Sequence, residues 1–410
     1  MTRVLVIGGG LAGLTAAREA ARRGAEVTLL TSGQGMHHLF SGCIDVLAYP
    51  PGSAAASEVP LDAVAEVAKT HPQHPYAKVG VETVESALED FREAVAAQGL
   101  EYRGDGRRLV RVLTVLGAAR PTALIPATMD AAAESIRVVC NINLFQNFSS
   151  EMLARELSVR HGHAVAALDF QAEPLRRDPL GVAVMFHDER FAELFGRFLE
   201  QHAAGQTVAV PALLGRREVS PLVAEIEATF GGKLVEVPGQ PPSLPGLRLF
   251  AALRRGVLDA GVRIVQGARA VGPLEDPARL RGVMVKVGHA QREQRADAVV
   301  LATGHLVGGG IIGDRAGLRE PLFDLPVSGE AGPPFFSKRF LDPGGHPSLR
   351  TGVAVDESLR PLVDGKPKYE NLFAAGDILA DFDPYCERSG GAVALATGMQ
   401  AGREAAGGGS

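Results

Sequence analysis

The chain has 410 residues, 42 Lys plus Arg against 47 Asp plus Glu, 46% hydrophobic and 22% charged, a profile that excludes a disordered, fibrous or single small module and allows two or three globular domains. With a net charge of −5 and no basic run longer than two residues, it lacks the positive field that a nucleic-acid backbone requires, so no nucleic-acid partner is expected. Cys43, Cys140 and Cys386 stand singly, which excludes a disulfide framework and a cysteine-ligated iron-sulfur cluster.

No His, Asp and Glu cluster has ligand spacing, so no metal is expected. The N-terminus lacks the basic, apolar and small-residue order of a signal peptide, and no stretch of about 18 apolar residues exists. A cytoplasmic chain without a transmembrane span is the expectation.

Arg3 to Ile7 is a short apolar run of the kind a parallel sheet buries on both faces. It meets Gly8, Gly9, Gly10 and Gly13 and opens an alanine-rich helix, Leu14 to Arg23, which Gly24 ends before a second strand, Ala25 to Thr31. This βαβ context makes GxGxxG a nucleotide site: Gly8 permits the turn, Gly10 lets the backbone approach a phosphate, and Gly13 packs helix on strand. The acidic residue that would hold an adenosine ribose is replaced by Thr31, whose hydroxyl lacks a carboxylate's grip.

Residues 46 to 245 form a large insertion. Helices are expected at Leu61 to Thr70 and Val81 to Ala97, and strands at Val110 to Leu116, Ile136 to Cys140 and Thr207 to Val210. After the turn Pro241 to Pro245, a helix Leu247 to Leu258 leads to a strand Val262 to Val265. Ala296 to Ala302 is another buried strand, ending in Thr303 and Gly304. A second GxGxxG string, Gly308, Gly310 and Gly313, is followed by too few residues before Pro321 for the required helix, so it reads as a loop without a separate nicotinamide domain. Asn371 to Ala375 is the last strand, ending in Gly376 and Asp377; Gly390 and Gly391 open a small-residue helix, Val393 to Glu404. Residues 407 to 410 read as a disordered tail.

LATG at 301 to 304 and NLFAAGD at 371 to 377, together with the N-terminal glycines, resemble the two-dinucleotide-binding flavoproteins. The resemblance implies an α/β fold: a Rossmann-like FAD/NAD(P)-binding domain from residues 1–45, 246–310 and 350–406, with an inserted cap or substrate domain from 46–245 and 311–349. It further implies that Asp377 bonds the ribityl chain and that the helix opened by Gly390 and Gly391 points its N-terminus at the flavin, where its dipole stabilises negative charge on the reduced ring.

The strings TSGQGMHHLFSGCIDVL at 31 to 47, HPYAKVG at 74 to 80, TVLGAARPTALIP at 114 to 126, PPSLPGLRL at 241 to 249, GLREPLFDLPV at 317 to 327 and DESLRPLVDGKPKYENLFAAGD at 356 to 377 resemble the B subunit of anaerobic glycerol-3-phosphate dehydrogenase. This implies an FMN-bearing polypeptide that pairs with an FAD-bearing A subunit. An iron-sulfur C subunit then ties the pair to the inner face of the membrane and passes electrons to quinone as sn-glycerol 3-phosphate becomes dihydroxyacetone phosphate. Thr31 suits FMN. A complete GxGxxG with its helix suits a pyrophosphate, so FAD stays the alternative.

Oxidising a secondary alcohol needs a base, and a phosphate substrate needs cations. His38 is the candidate base or flavin contact, with Ser41 and Gly42 presenting backbone N–H groups beside it; a histidyl-flavin link at His37 or His38 is a further option. Asp45 reads as a turn cap and His74 as a turn residue. Among Arg120, Arg319, Arg360 and Arg388, all in glycine- or proline-marked loops, Arg319 and Arg388 are the leading phosphate pair, against ion pairs with Glu320 or Glu387. Other readings are an electron relay with the substrate site on the partner, a soluble FAD enzyme acting on a dicarboxylate, and a structural subunit without flavin.

Overall fold

A computed structural model describes residues 1–33, 35–217, 219–315, 317–329 and 333–407. The centre is a five-stranded parallel sheet in the order Arg263–Gln266, Glu26–Thr31, Arg3–Ile7, Ala298–Leu301 and Leu372–Ala374. Its strands are apolar on both faces because the sheet is covered, by helices and by an antiparallel meander. Three sequence-distant strand ends, at Gly8, Ala302 and Ala375, are thereby brought to one edge: Ala302 N donates to Ile7 O at 2.8 Å and Ala375 N to Leu301 O at 3.0 Å. A doubly wound sheet binds ligands at such an edge. The Rossmann-like α/β class expected from the sequence is the one found.

The N-terminal helix, Leu11–Arg22, packs on the C-terminal helix, Gly390–Ala405. Glycines in the second allow close approach: a Cβ at Gly398 would stand 2.5 Å from Ala12 O. The helix Leu244–Asp259 covers the same core. Between Arg263–Gln266 and Ala298–Leu301 runs a three-stranded antiparallel meander, Ala268–Asp276, Arg279–Val287 and Ala290–Arg295, that sequence reading passes over. Its outer strand is largely exposed and polar, which hides the alternation that marks a half-buried strand.

The insertion contains a second parallel sheet, in the order Lys233–Val237, Thr207–Pro211, Val138–Ile142 and Ala166–Phe170, with its own core that includes Val139, Phe195, Leu199 and Ile226. The helices Pro60–Thr70 and Val81–Ala96, assigned to the inserted domain by sequence, instead place Val64, Val67, Leu88 and Phe91 in the core of the flavin-binding sheet. Amphipathic spacing fixes which face of a helix is buried but not which neighbour buries it. Around the second glycine string no helix follows Gly313 among the described residues; residues Ile312–Asp314 pair with Gly317–Arg319 as a hairpin. Of the expected tail, Gly408, Gly409 and Ser410 lie outside the described residues.

Candidate functional site

The glycine turn is shaped by contact. Gly8 has φ 120°, and a Cβ there would lie 2.0 Å from Ala302 O; a Cβ on Gly13 would lie 1.9 Å from Gly8 O. These approaches let strand, turn and helix sit at backbone distance. A Cβ on Gly10 meets nothing within 4 Å, and the helix it opens has neither a side-chain cap nor an acidic residue in its first turn. Its first amides therefore have no side-chain acceptor, with the positive end of the helix dipole behind them. Thr31 is buried against this turn, its hydroxyl donating to Gly33 O and accepting from Gly33 N at 3.2 Å. That hydroxyl is spent on its own loop.

At the last strand end, Gly376 N donates to Thr397 Oγ1 at 2.9 Å, tying strand to C-terminal helix. Asp377 follows, half-buried, facing Gly390, with no charged or hydrogen-bonding partner among the described residues; burial alone pushes its pKa up to about 6. Ser389 precedes the helix but gives its hydroxyl to Glu387 Oε2 at 3.0 Å. The helix N-terminus thus has no side-chain cap and no acidic residue in its first turn. A carboxylate lacking compensation beside two helix N-termini without side-chain caps fits a polyhydroxylated, anionic group.

This environment has a pH signature. Because the folded pKa of Asp377 lies above its unfolded value, its effect on stability is most favourable below the unfolded pKa and is lost as pH rises through about 6. In flavin-free protein, Asp377→Asn should melt at a higher temperature than the parent at pH 7.5, with the gap closing towards pH 4. An equal gap at both pH values would show that the carboxylate is already compensated.

Arg388, two residues before the C-terminal helix, has a left-handed conformation, φ 56°, and is half-buried. Burial, together with the neighbouring positive charge of Arg120, holds its pKa below the usual arginine range. Arg120 comes from the hairpin Val110–Leu113 and Ala119–Thr122 and donates to Asp45 Oδ2, while Thr122 Oγ1 donates to Asp45 Oδ1 at 2.6 Å. Asp45 is therefore an anchor for Arg120 and not the turn cap expected from sequence. Its backbone oxygen accepts from Ala392 N at 2.9 Å, in the first turn of the C-terminal helix.

The turn carrying Arg388 is held from behind. Glu387 accepts from Asp383 N at 2.8 Å and lies 3.1 Å from His74 Nε2, and its backbone oxygen accepts from Ala48 N and Tyr49 N at 3.0 Å each. His74 caps the short helix Pro75–Val79 by accepting from Tyr76 N at its Nδ1, so in the neutral ring the Nε2 proton is the one that faces Glu387. The turn role expected of His74 holds, but its pairing with Glu387 leaves no trace in the sequence, because 313 residues separate them.

Other expected residues disperse. Arg319 lies on the hairpin Ile312–Asp314 and Gly317–Arg319, 59% exposed and 3.7 Å from Asp314, apart from the Arg120 and Asp45 contacts. Its neighbour Glu320 accepts from the amides of Leu322 and Phe323 at 2.9 and 2.8 Å. Neither expected ion pair, Arg319 with Glu320 or Arg388 with Glu387, is formed. Arg360 pairs with Asp356 at 2.8 Å. In the loop after the second strand, His37 is the buried histidine, set between Phe40 and Phe250 with neither ring nitrogen partnered; burial, aided by His38, lowers its pKa to about 3.

His38 is half-buried, and its backbone oxygen accepts from Ser243 N at 2.8 Å. Ser41 Oγ accepts from Cys43 N at 3.4 Å, and Gly42 O accepts from Tyr102 at 2.5 Å. At Gly304, φ is 73°, and the next residue, His305, bonds Thr351 O at 2.9 Å. Among the described residues there is no cluster of metal-ligating groups and no helix long and apolar enough to cross a membrane.

Residues 3–393 match the family model described as FAD binding domain. A protein of Halobacterium salinarum named as a probable B subunit of anaerobic glycerol-3-phosphate dehydrogenase is 33% identical, the match covering 99% of this chain and 98% of the relative. The B subunits of Vibrio cholerae and Aliivibrio fischeri are 29% and 28% identical, covering 97% of this chain and 95% and 93% of theirs. Among solved structures, the open conformation of a flavocytochrome c3 fumarate reductase is 12% identical, with a TM-score of 0.48 over 99% of this chain and 78% of that one. The glycine turn, the lone Asp377 and the nearly full-length matches agree: the chain is a flavoprotein that belongs to the B-subunit family of anaerobic glycerol-3-phosphate dehydrogenase.

Proposed function

We propose that this chain is the flavin-bearing subunit of a dehydrogenase that oxidises sn-glycerol 3-phosphate to dihydroxyacetone phosphate and passes the electrons to quinone through partner subunits. The observation that carries the reading is a half-buried Arg388 close to Arg120 and two residues before the C-terminal helix whose first residue Asp377 faces, in a chain with full-length relatives of that name. FAD is the flavin, in place of the FMN expected from sequence, because the matched model is that of an FAD binding domain. Gly8, Gly10 and Gly13 present backbone amides to its phosphates, Asp377 accepts from its ribityl hydroxyls, and Ser41, Gly42, Gly304, Gly390 and Gly391 line its ring.

The bound flavin supplies the acceptor for the hydride that leaves the alcohol carbon. His38 takes the hydroxyl proton, and Arg388 holds the substrate phosphate by a planar fork. Arg319, exposed on its hairpin, is left for a partner or for solvent. With its cysteines scattered, this chain hands its electrons onward to two partners, the FAD-bearing A subunit first and then the iron-sulfur C subunit, which holds the assembly on the inner face of the membrane.

Anaerobic addition of sn-glycerol 3-phosphate to the flavin-loaded chain should bleach its visible absorption, and acid should release FAD. Release of FMN would return the cofactor to the sequence expectation. Bleaching only when the A subunit is present would make this chain an electron relay. Two arginines near one helix end also suit a dicarboxylate, and bleaching reversed by fumarate, without any response to sn-glycerol 3-phosphate, would favour that reading.

A further inference from the structure

We propose that Arg120 is the second cation of the phosphate site, joining Arg388 so that two guanidinium groups, one from the inserted lobe and one from the flavin-binding core, recognise the phosphate ester. This deepens the function proposed above and rests on it. A phosphate monoester carries a charge near −2 at neutral pH, more than a single guanidinium balances. Arg388 alone supplies one positive charge. Arg120 is the cation that acts on it, since its charge lowers the Arg388 pKa.

The geometry brings the two together by backbone contacts on both sides. Arg120 is bonded to Asp45, and Asp45 O accepts from Ala392 N at 2.9 Å, four residues beyond Arg388. Ala48 N and Tyr49 N, just after Asp45, donate to Glu387 O, the residue before Arg388. A Cβ on Gly391 would come within 3.0 Å of Asp45 N and O, so the two segments lie in backbone contact.

Arg120 has spare donors. Its Nη2 goes to Asp45, while its Nη1 is buried without any hydrogen-bond partner. A buried charged donor left unmade is costly, and an anion's oxygen would satisfy it. Asp45 is itself shared with Thr122, which leaves its carboxylate a weak match for the combined charge of both arginines. Besides Arg120 and Asp45, Tyr49 and Cys386 are the ionisable groups acting on Arg388, and the Cys386 thiol is pushed up to about 11, chiefly by burial. The Arg388 turn is held from behind by Glu387 and His74, and Arg120 is held by Asp45, so a ligand placed between the arginines meets two cations carried on anchored segments.

The test uses the flavin-loaded chain in complex with its partner subunits. In Arg120→Gln, KM for sn-glycerol 3-phosphate should rise at least thirtyfold, with kcat within about threefold and flavin content unchanged. Inorganic phosphate should lose its competitive inhibition to the same degree. Arg120→Lys, which keeps the charge but not the fork, should fall between. Because Arg120→Gln also leaves Asp45 unpaired, Asp45→Asn serves as the control: it frees Arg120 from its anchor and should raise KM by less than fivefold.

A KM unchanged in Arg120→Gln, or raised equally in Asp45→Asn, overturns the proposal. Failure of the parent protein to bind phosphate or sn-glycerol 3-phosphate would instead defeat the underlying function. The two failures are thus distinct.

Discussion

Glu236→Gln is expected to lower the stability of the folded chain by about 3–5 kcal/mol, since it strands a buried arginine without its counter-charge. Arg248 and Glu236 have side chains 4% and 0% exposed, and they pair through two bonds of 2.6 and 2.9 Å. Arg248 is otherwise satisfied by Gly215 O and Leu214 O at 2.9 and 2.8 Å, and Glu236 also accepts from Leu214 N and Thr128 Oγ1 at 3.0 and 2.7 Å. Arg248 belongs to the helix Leu244–Asp259 of the first core, and Glu236 to the strand Lys233–Val237 of the second. The pair therefore fastens the inserted sheet to the flavin-binding core.

Denaturant unfolding of Glu236→Gln, Arg248→Met and the double variant measures the coupling. The double variant should lose less than the sum of the singles, because removing both charges leaves neither one buried alone. Additive losses, or a loss below about 1 kcal/mol for Glu236→Gln, would mean that water reaches the pair and that the lobes are held by packing alone.

The second large effect lies in the glycine turn. Gly13→Val places a Cβ 1.9 Å from Gly8 O, so the helix must retreat by an ångström or more from the strand end. A displacement of that size is enough to cost roughly a hundredfold where backbone amides must meet a ligand at fixed distance, and flavin should be lost on gel filtration. Gly10→Ala separates folding from binding. Its Cβ meets no protein atom within 4 Å, and the native φ of −79° suits alanine.

Gly10→Ala should therefore keep the melting temperature of the flavin-free chain while weakening flavin affinity at least tenfold. If Gly10→Ala binds flavin as tightly as the parent, the phosphate does not approach this turn. The helix end would then have a structural role only.

Much of the flavin-binding core is legible because its signals are local. A buried strand ending in glycine, a helix of small residues and a second buried strand follow in sequence from Arg3 to Thr31, and the same physics marks Ala298–Leu301 and Leu372–Ala374. Two of the glycines that read as a phosphate turn, Gly8 and Gly13, also prove to be close contacts of the fold. The second GxGxxG has no room for a following helix, and a hairpin stands there.

Partners in space are not legible. Arg388 stands out in the sequence together with Arg319, because both occupy turn-marked loops, whereas the chain path brings Arg120 to it instead. Asp45 looks like a cap until the hairpin carrying Arg120 and Thr122 folds over it. The helix Val81–Ala96 shows its apolar stripe without showing that the C-terminal helix covers it.

By itself, the sequence determined that a flavin-type α/β core exists and where its strands end, since backbone geometry and hydrophobic period act over a few neighbours. Only the tertiary structure decided which polar side chains meet, namely Arg120 with Asp45, His74 with Glu387 and Arg248 with Glu236. Electrostatic and hydrogen-bond partners are chosen by distance in space, and contacts spanning as many as 313 residues leave no periodic mark along the chain.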